Sequence, residues 1–150
     1  MNSFARDFPI VCVGGSAGGS AAYVQLLKHL PPETGVAIVI VNHARRTSNA
    51  LHKILPHSTK MPVELITEGL PIQPNRVFIV PAGHDLQVLD GTFRLRPMSK
   101  PKGWPNVITI FLLSLCLLYT SSRSHRVSSF EIILGLAAAS DPQATISAVL

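Results

Sequence analysis

Pro9-Ile10-Val11-Cys12-Val13-Gly14-Gly15-Ser16-Ala17-Gly18-Gly19-Ser20-Ala21-Ala22-Tyr23-Val24-Gln25-Leu26-Leu27 is the stretch that decides the fold. The apolar run Ile10 to Val13 reads as a short strand buried on both faces, the pattern of a parallel sheet covered by helices. A glycine turn follows and holds one hydroxyl, Ser16. Ser20 to Leu30 then reads as a helix, with Val24, Leu27 and Leu30 on one face and Pro31-Pro32 as its stop. In this reading the glycines supply positive φ angles and close backbone approach. The helix start offers N–H groups to an oxyanion.

The residues of the turn separate the chemistries that use such a junction. Gly14-x-Ser16-x-Gly18 has the spacing of a nucleophile elbow, which points to a serine hydrolase. A phosphate-cradling loop needs Gly-x4-Gly-Lys-Ser/Thr, and Ser20 stands where the lysine belongs. A dinucleotide turn needs Gly-x-Gly-x-x-Gly, and Ser16 occupies the middle glycine. Nucleotide binding is therefore disfavoured. A tight strand-to-helix turn with an incidental serine is the plain structural alternative.

Further along, Val36 to Val41 reads as a second strand ending at Asn42-His43. The basic loop Ala44-Arg45-Arg46 leads to Thr47 or Ser48 as N-cap of a second helix running through Leu51, Ile54 and Leu55. Pro62 to Ile66 is a third strand, Pro71 to Asn75 a turn-rich link, and Arg76 to Val80 a fourth strand. Leu86–Leu89 and Thr92–Arg96 flank Asp90-Gly91, which predicts a hairpin with a primed turn. Pro97 to Pro105 is a loop and Val107 to Leu118 a helix. Thr120 to Arg126 is polar and loop-like, Glu131 to Ala139 is strand or helix, and Asp141-Pro142 marks a turn. The order of elements argues an α/β fold with right-handed crossovers.

Composition narrows the function classes. The 150 residues suffice for one domain with a core. At 47% hydrophobic and 14% charged, the chain is not a disordered segment. Its formal charge of +5 favours acidic partners. Arg94, Arg96, Lys100, Lys102, Arg123 and Arg126 occur with no acidic residue between Asp90 and Glu131, and read as a solvated basic surface. No aromatic residues interleave with them in a nucleic-acid-binding pattern. Cys12 and Cys116 lie in apolar runs and read as buried thiols of a reducing compartment. The six histidines show no metal-ligand spacing, so no metal is expected. Val107 to Tyr119 is apolar but shorter than the roughly 20 residues a membrane helix needs. With no signal-peptide layout at the start, a cytoplasmic location without membrane insertion is expected.

In open α/β sheets, ligands sit beyond the carboxyl ends of the strands. Ser16 follows the first strand and His43 the second. If those strands are neighbours, their ~5 Å spacing brings the two loops together. A serine hydroxyl needs a base to take its proton, and histidine can serve. Taken alone, His43 reads better as a loop residue that caps or hydrogen-bonds.

Val13-Gly14-Gly15-Ser16-Ala17-Gly18-Gly19 resembles the active-site segment of the CheB family of chemotaxis protein-glutamate methylesterases. Leu30 to Gly35, Val41-Asn42-His43, Met61-Pro62-Val63, Glu68-Gly69, Pro71 to Pro74, Arg76 to Gly83, the hairpin and Phe111 to Leu115 have counterparts in the same order. The resemblance covers roughly residues 8 to 115. It implies a doubly wound α/β domain with a mostly parallel sheet and a β-hairpin insertion. It also implies hydrolysis of glutamate γ-methyl esters on the cytoplasmic helices of methylated chemoreceptors, and deamidation of certain receptor glutamines. By position, Ser16 is the nucleophile and His43 the general base, with N–H groups around Ala17 and Gly18 near the oxyanion. No cofactor or metal is implied.

The family's third catalytic residue is an aspartate in a later Gly-x-Gly-x-Asp-Gly-like turn, which this sequence lacks. Residues 116–150 depart from the family, and Asp141 sits in a different setting. Two expectations follow: a domain lacking C-terminal elements through truncation, frameshift or fusion, or a catalytically impaired receptor-binding module. No receiver domain precedes the family-like segment, so residues 1–150 read as a single domain.

Overall fold

The computed structural model describes residues 8–15, 19–42, 48–99, 107–121, 132–135 and 146–149. Among them, β1 (Ile10–Gly15), β2 (Ala37–Asn42), β3 (Val63–Leu65) and β4 (Arg76–Ile79) form one parallel sheet in the order β1-β2-β4-β3. The runs are apolar throughout because both sheet faces are covered. Side chains alternate between them. Cys12, Val39, Val41 and Phe78 face one core cluster, while Val13, Ile38, Ile40, Val77 and Ile79 face the other.

Helices α1 (Ser20–His29) and α2 (Ser48–Ile54) cover the second face through Tyr23, Leu27 and Leu51. The antiparallel hairpin of β5 (His84–Leu89) and β6 (Thr92–Pro97) covers the first face, together with α3 (Val107–Ser121). Helices on opposite faces make the domain doubly wound, with a hairpin insertion. Strands β7 (Ile132–Gly135) and β8 (Ile146–Val149) pair antiparallel as a separate two-stranded sheet, with β7 close to β1.

The hairpin turn follows the expectation in detail. Asp90 (φ 47°) and Gly91 (φ 80°) both adopt the left-handed region, as a primed two-residue turn demands. Phe93, fully buried, meets Phe78 of β4 edge-to-face with ring centroids 5.0 Å apart. That contact fixes the hairpin to the sheet.

Several sequence expectations need correction. The link after Glu68 is not merely turns. Gly69 donates its amide to Phe93 and Phe93 to Leu70, and Pro71 makes an isolated antiparallel bridge to Thr92, so the link is tied to the edge of β6. A two-residue hairpin has unpaired edges, and this segment satisfies one. The second helix does not run through Leu55: it ends at Ile54, which is 44% exposed, and a 3₁₀ segment, Leu55–His57, follows with Leu55 buried. Cys116 is exposed, not buried. Helix α3 buries the stripe Val107, Ile108, Phe111 and Leu115 and leaves Leu113 and Leu117 outward. It is a surface helix with one apolar face too many rather than a buried one. Of the Glu131–Ala139 segment, Ile132–Gly135 is strand. The Thr47 cap, the 44–46 basic loop and the Asp141-Pro142 turn lie outside the described residues.

Two tests follow from this packing. Phe93→Ala removes a fully buried ring and should cost about 3–5 kcal/mol of stability, read by urea denaturation. A loss within the range of exposed substitutions would mean the ring is not what anchors the hairpin. The Leu95 amide (2.6 Å), and then the Arg94 guanidinium (3.1 Å), hold the Glu68 carboxyl below its usual range. A depressed folded value stabilises above the ordinary glutamate value of 4.5, and the gain disappears as pH falls through the folded value. Glu68→Gln should therefore be less stable than wild type at pH 7, and the gap should close in acid.

Candidate functional site

Strands β1 and β2 are in-register neighbours, and they end together. Ile10 opposes Ala37, and the ladder continues through Gly14 opposite Val41 to Gly15 opposite Asn42. The next residues in sequence are Ser16 and His43. Both lie outside the described residues, as do Ala17 and Gly18, so their separation is not described. The adjacency from which the two residues were paired is met.

The surrounding topology marks the same end of the sheet. From β1 the chain crosses to β2 over one face through α1, and both strands end at this edge. In open α/β sheets ligands bind beyond the carboxyl ends of the strands.

The glycines work differently from the expectation. Gly14 and Gly15 belong to β1, and neither they nor Gly19 (φ −66°) has positive φ. Gly15 is required by close approach. A Cβ there would lie 2.0 Å from the Tyr23 hydroxyl oxygen and 2.8 Å from Cζ. Gly19 is the N-cap of α1 and brings no capping side chain, so the first-turn N–H groups gain no side-chain acceptor.

Burial sets the electrostatics at this end of the sheet. It pushes the Cys12 thiol up to about 12, which keeps this cysteine from serving as a nucleophile. Burial, with Cys12 nearby, also raises the Tyr23 phenol. The Tyr23 hydroxyl has no hydrogen-bond partner among the described residues, a state that costs about 1–3 kcal/mol. Asp85, at the start of β5 just past the end of β4, is the buried charged residue among those described. Its Oδ2 accepts from the Ser99 amide at 2.8 Å, while Oδ1 lacks a partner among the described residues.

Sequence reasoning missed both Tyr23 and Asp85 as residues of interest. Tyr23 had a signal: a bulky aromatic in the first helical turn beside a Gly-Gly strand end. Asp85 had none, since an acid in a hairpin is usually solvated. Of the basic residues, Arg94 is engaged by Glu68 and Arg96 is exposed on β6; Lys100, Lys102, Arg123 and Arg126 lie outside the described residues. Among the described residues, no three His, Cys, Asp or Glu side chains group to hold a metal, and no helix is long and apolar enough to cross a membrane.

Comparison with known proteins bears on this geometry. A family model, CheB methylesterase, matches residues 11–127, continuing past residue 115. A protein-glutamate methylesterase/protein-glutamine glutaminase of group 3 operon from Pseudomonas putida is 38% identical over 81 residues, covering 53% of this chain and 24% of that protein. A similarly named protein from Pseudomonas savastanoi pv. phaseolicola is 39% identical over 90 residues, covering 59% and 27%. The chain thus spans about a quarter of the length of these curated relatives. The crystal structure of the Thermotoga maritima CheB methylesterase catalytic domain superposes with a TM-score of 0.66 at 23% identity. That match covers 77% of this chain and 64% of the other, and it shows the shared fold.

The contrast between the two cysteines is directly measurable. Iodoacetamide at pH 8 should label exposed Cys116 in the native protein and spare Cys12 until denaturant is added. Native-state labelling of Cys12 would show that β1 is not held in a closed core.

Proposed function

Because the chain belongs to the CheB methylesterase family, a family of hydrolases, we propose that it is a protein-glutamate methylesterase acting on methylated chemoreceptor helices in the cytoplasm. Ser16 is the nucleophile and His43 the general base. The observation that supports this most is the paired ending of β1 and β2, Gly15 against Asn42, from which both residues continue.

The steps balance with these two side chains and water. Ser16 Oγ attacks the γ-ester carbonyl carbon while His43 takes the hydroxyl proton. The negative charge that develops on the carbonyl oxygen is met by N–H groups of the turn and the uncapped start of α1. Collapse breaks the C–OCH₃ bond, and His43 returns its proton to the departing methanol. Water, deprotonated by His43, then attacks the acyl carbon; the bond to Ser16 Oγ breaks, His43 returns the proton to that oxygen, and the glutamate is freed. The same course on a glutamine side chain releases ammonia, the second activity in the relatives' names. In a serine triad, disabling the orienting aspartate lowers kcat about ten-thousand-fold. Turnover by Ser16 and His43 without such a carboxylate would be slow by that order.

Methanol release from methylated receptor membranes tests the reading. Wild-type chain should release methanol above the level of Ser16→Ala, and His43→Gln should fall to that same level, because losses within a catalytic unit are not additive and the missing carboxylate already accounts for most of them. Equal release by wild type and Ser16→Ala overturns it. Receptor binding at low salt without turnover would instead identify a catalytically impaired docking module.

A further inference from the structure

The carboxyl ends of β1 and β2 occupy one end of the sheet, and a second feature lies at the other. Helix α1 leaves the carboxyl end of β1 and runs back, so its last turn lies where β2 begins. The 58–62 segment, after the 3₁₀ turn, likewise leads into the start of β3. Between the end of α1 and this segment opens a cavity of about 430 Å³. The ten residues of α1, about 15 Å in length, hold it apart from the strand ends that lead to Ser16 and His43.

The lining combines two chemistries. Buried Leu27, half-buried Leu30 and the ring of Pro32 give the cavity an apolar floor. Lys28, Lys60 and His57 are exposed and supply ammonium and imidazole N–H donors. Ser58 and Thr59 add two hydroxyls. Thr59 Oγ1 already accepts from the Met61 amide at 3.1 Å, so its hydrogen is left to donate elsewhere. Among the described residues no carboxylate lines the cavity, and the two ion pairs, Arg76–Glu64 and Arg94–Glu68, involve neither lysine. Lys28 stands in the last turn of α1, whose carbonyl end takes up part of its charge. Lys60, in the loop, has no ion-pair partner among the described residues.

A cavity of this size takes a small organic molecule rather than a single water or ion. Its two lysines, with hydroxyl and N–H donors beside them in sequence, ask for a ligand with several acceptor oxygens and more than one negative charge. A phosphate monoester carries about −1.5 to −2 charge at pH 7 on three oxygens. A carboxylate offers less of both. The floor asks for an apolar body attached to that head group. We propose that this cavity binds a small organic phosphate monoester, with the phosphate held by Lys28, Lys60 and the Thr59 hydroxyl and the apolar body resting on Leu27, Leu30 and Pro32. The site is independent of Ser16 and His43 and of the esterase reading.

Phenyl phosphate is the probe, titrated into the full chain at low salt and followed by amide chemical shifts. Benzoate, phenol and inorganic phosphate are titrated in parallel. Phenyl phosphate should saturate with a dissociation constant on the order of 1 mM, as fragment-sized ligands do, with the largest shifts in residues 27–32 and 57–60. The other three should bind at least about fivefold more weakly, since each lacks the second charge or the apolar body. Lys28→Met and Lys60→Met should each weaken phenyl phosphate by about fivefold and leave the thermal midpoint near wild type, because both side chains are exposed. Lys60→Arg, which keeps the charge, should bind as wild type does. Absence of saturation overturns the proposal, as do shifts centred away from these two segments. Benzoate binding as tightly as phenyl phosphate overturns the phosphate assignment, and inorganic phosphate doing so reduces the site to general anion attraction. Unchanged binding in the combined Lys28→Met, Lys60→Met variant also overturns it.

Discussion

The pairing of β1 with β2 is the constraint on which the other features depend. Its register sends Ile10 and Cys12 to one core, and Val11 and Val13 to the other. Slipping one strand by a single residue would exchange the faces of every side chain on it. It would also separate Gly15 from Asn42 and place a side chain where only Gly15 leaves room for Tyr23. Core packing and the meeting of the two strand ends are therefore set by one ladder. The same register that buries valines and isoleucines aligns the segments leading to Ser16 and His43.

Much of this was legible in the sequence because each strand is a continuous β-branched run closed by an unmistakable stop. Pro31-Pro32 after α1, Pro81 after β4 and Asp90-Gly91 in the hairpin act through local backbone geometry, which does not wait for tertiary context. What escaped the sequence was set by partners far along the chain. The 69–72 link is tied to the hairpin edge because Phe93 and Gly91 present free backbone groups to it. Helix α2 stops at Ile54 and tightens into a 3₁₀ segment, a change of pitch that the apolar spacing of Leu51 and Leu55 does not reveal. Cys116 sits in an apolar run, yet α3 has one buried stripe, and Cys116 falls beside it.

The candidate site shows the same division. The neighbouring strand ends could be inferred from chain order, since a strand–helix–strand unit of this length usually brings its strands together. The role of Gly15 could not. Read locally, a glycine before a serine suggests a turn angle. In three dimensions it is the absence of a side chain that matters, because a phenol from eight positions further on occupies the space.

The hairpin carries a consequence for how the chain acquires its structure. Leu89 and Thr92 meet across a two-residue turn, whereas Ile10 must find Ala37 and Ala37 must find Arg76. Hairpins of this kind close in about 1–10 μs, long before non-local parallel pairing is complete. His84–Pro97 is thus the unit that can form on its own and wait. When β4 joins the sheet, Phe78 arrives carrying the edge on which Phe93 stacks. Among the strand pairings, the hairpin would then close first, remote in sequence from the glycine turn, and offer a wall for one side of the core.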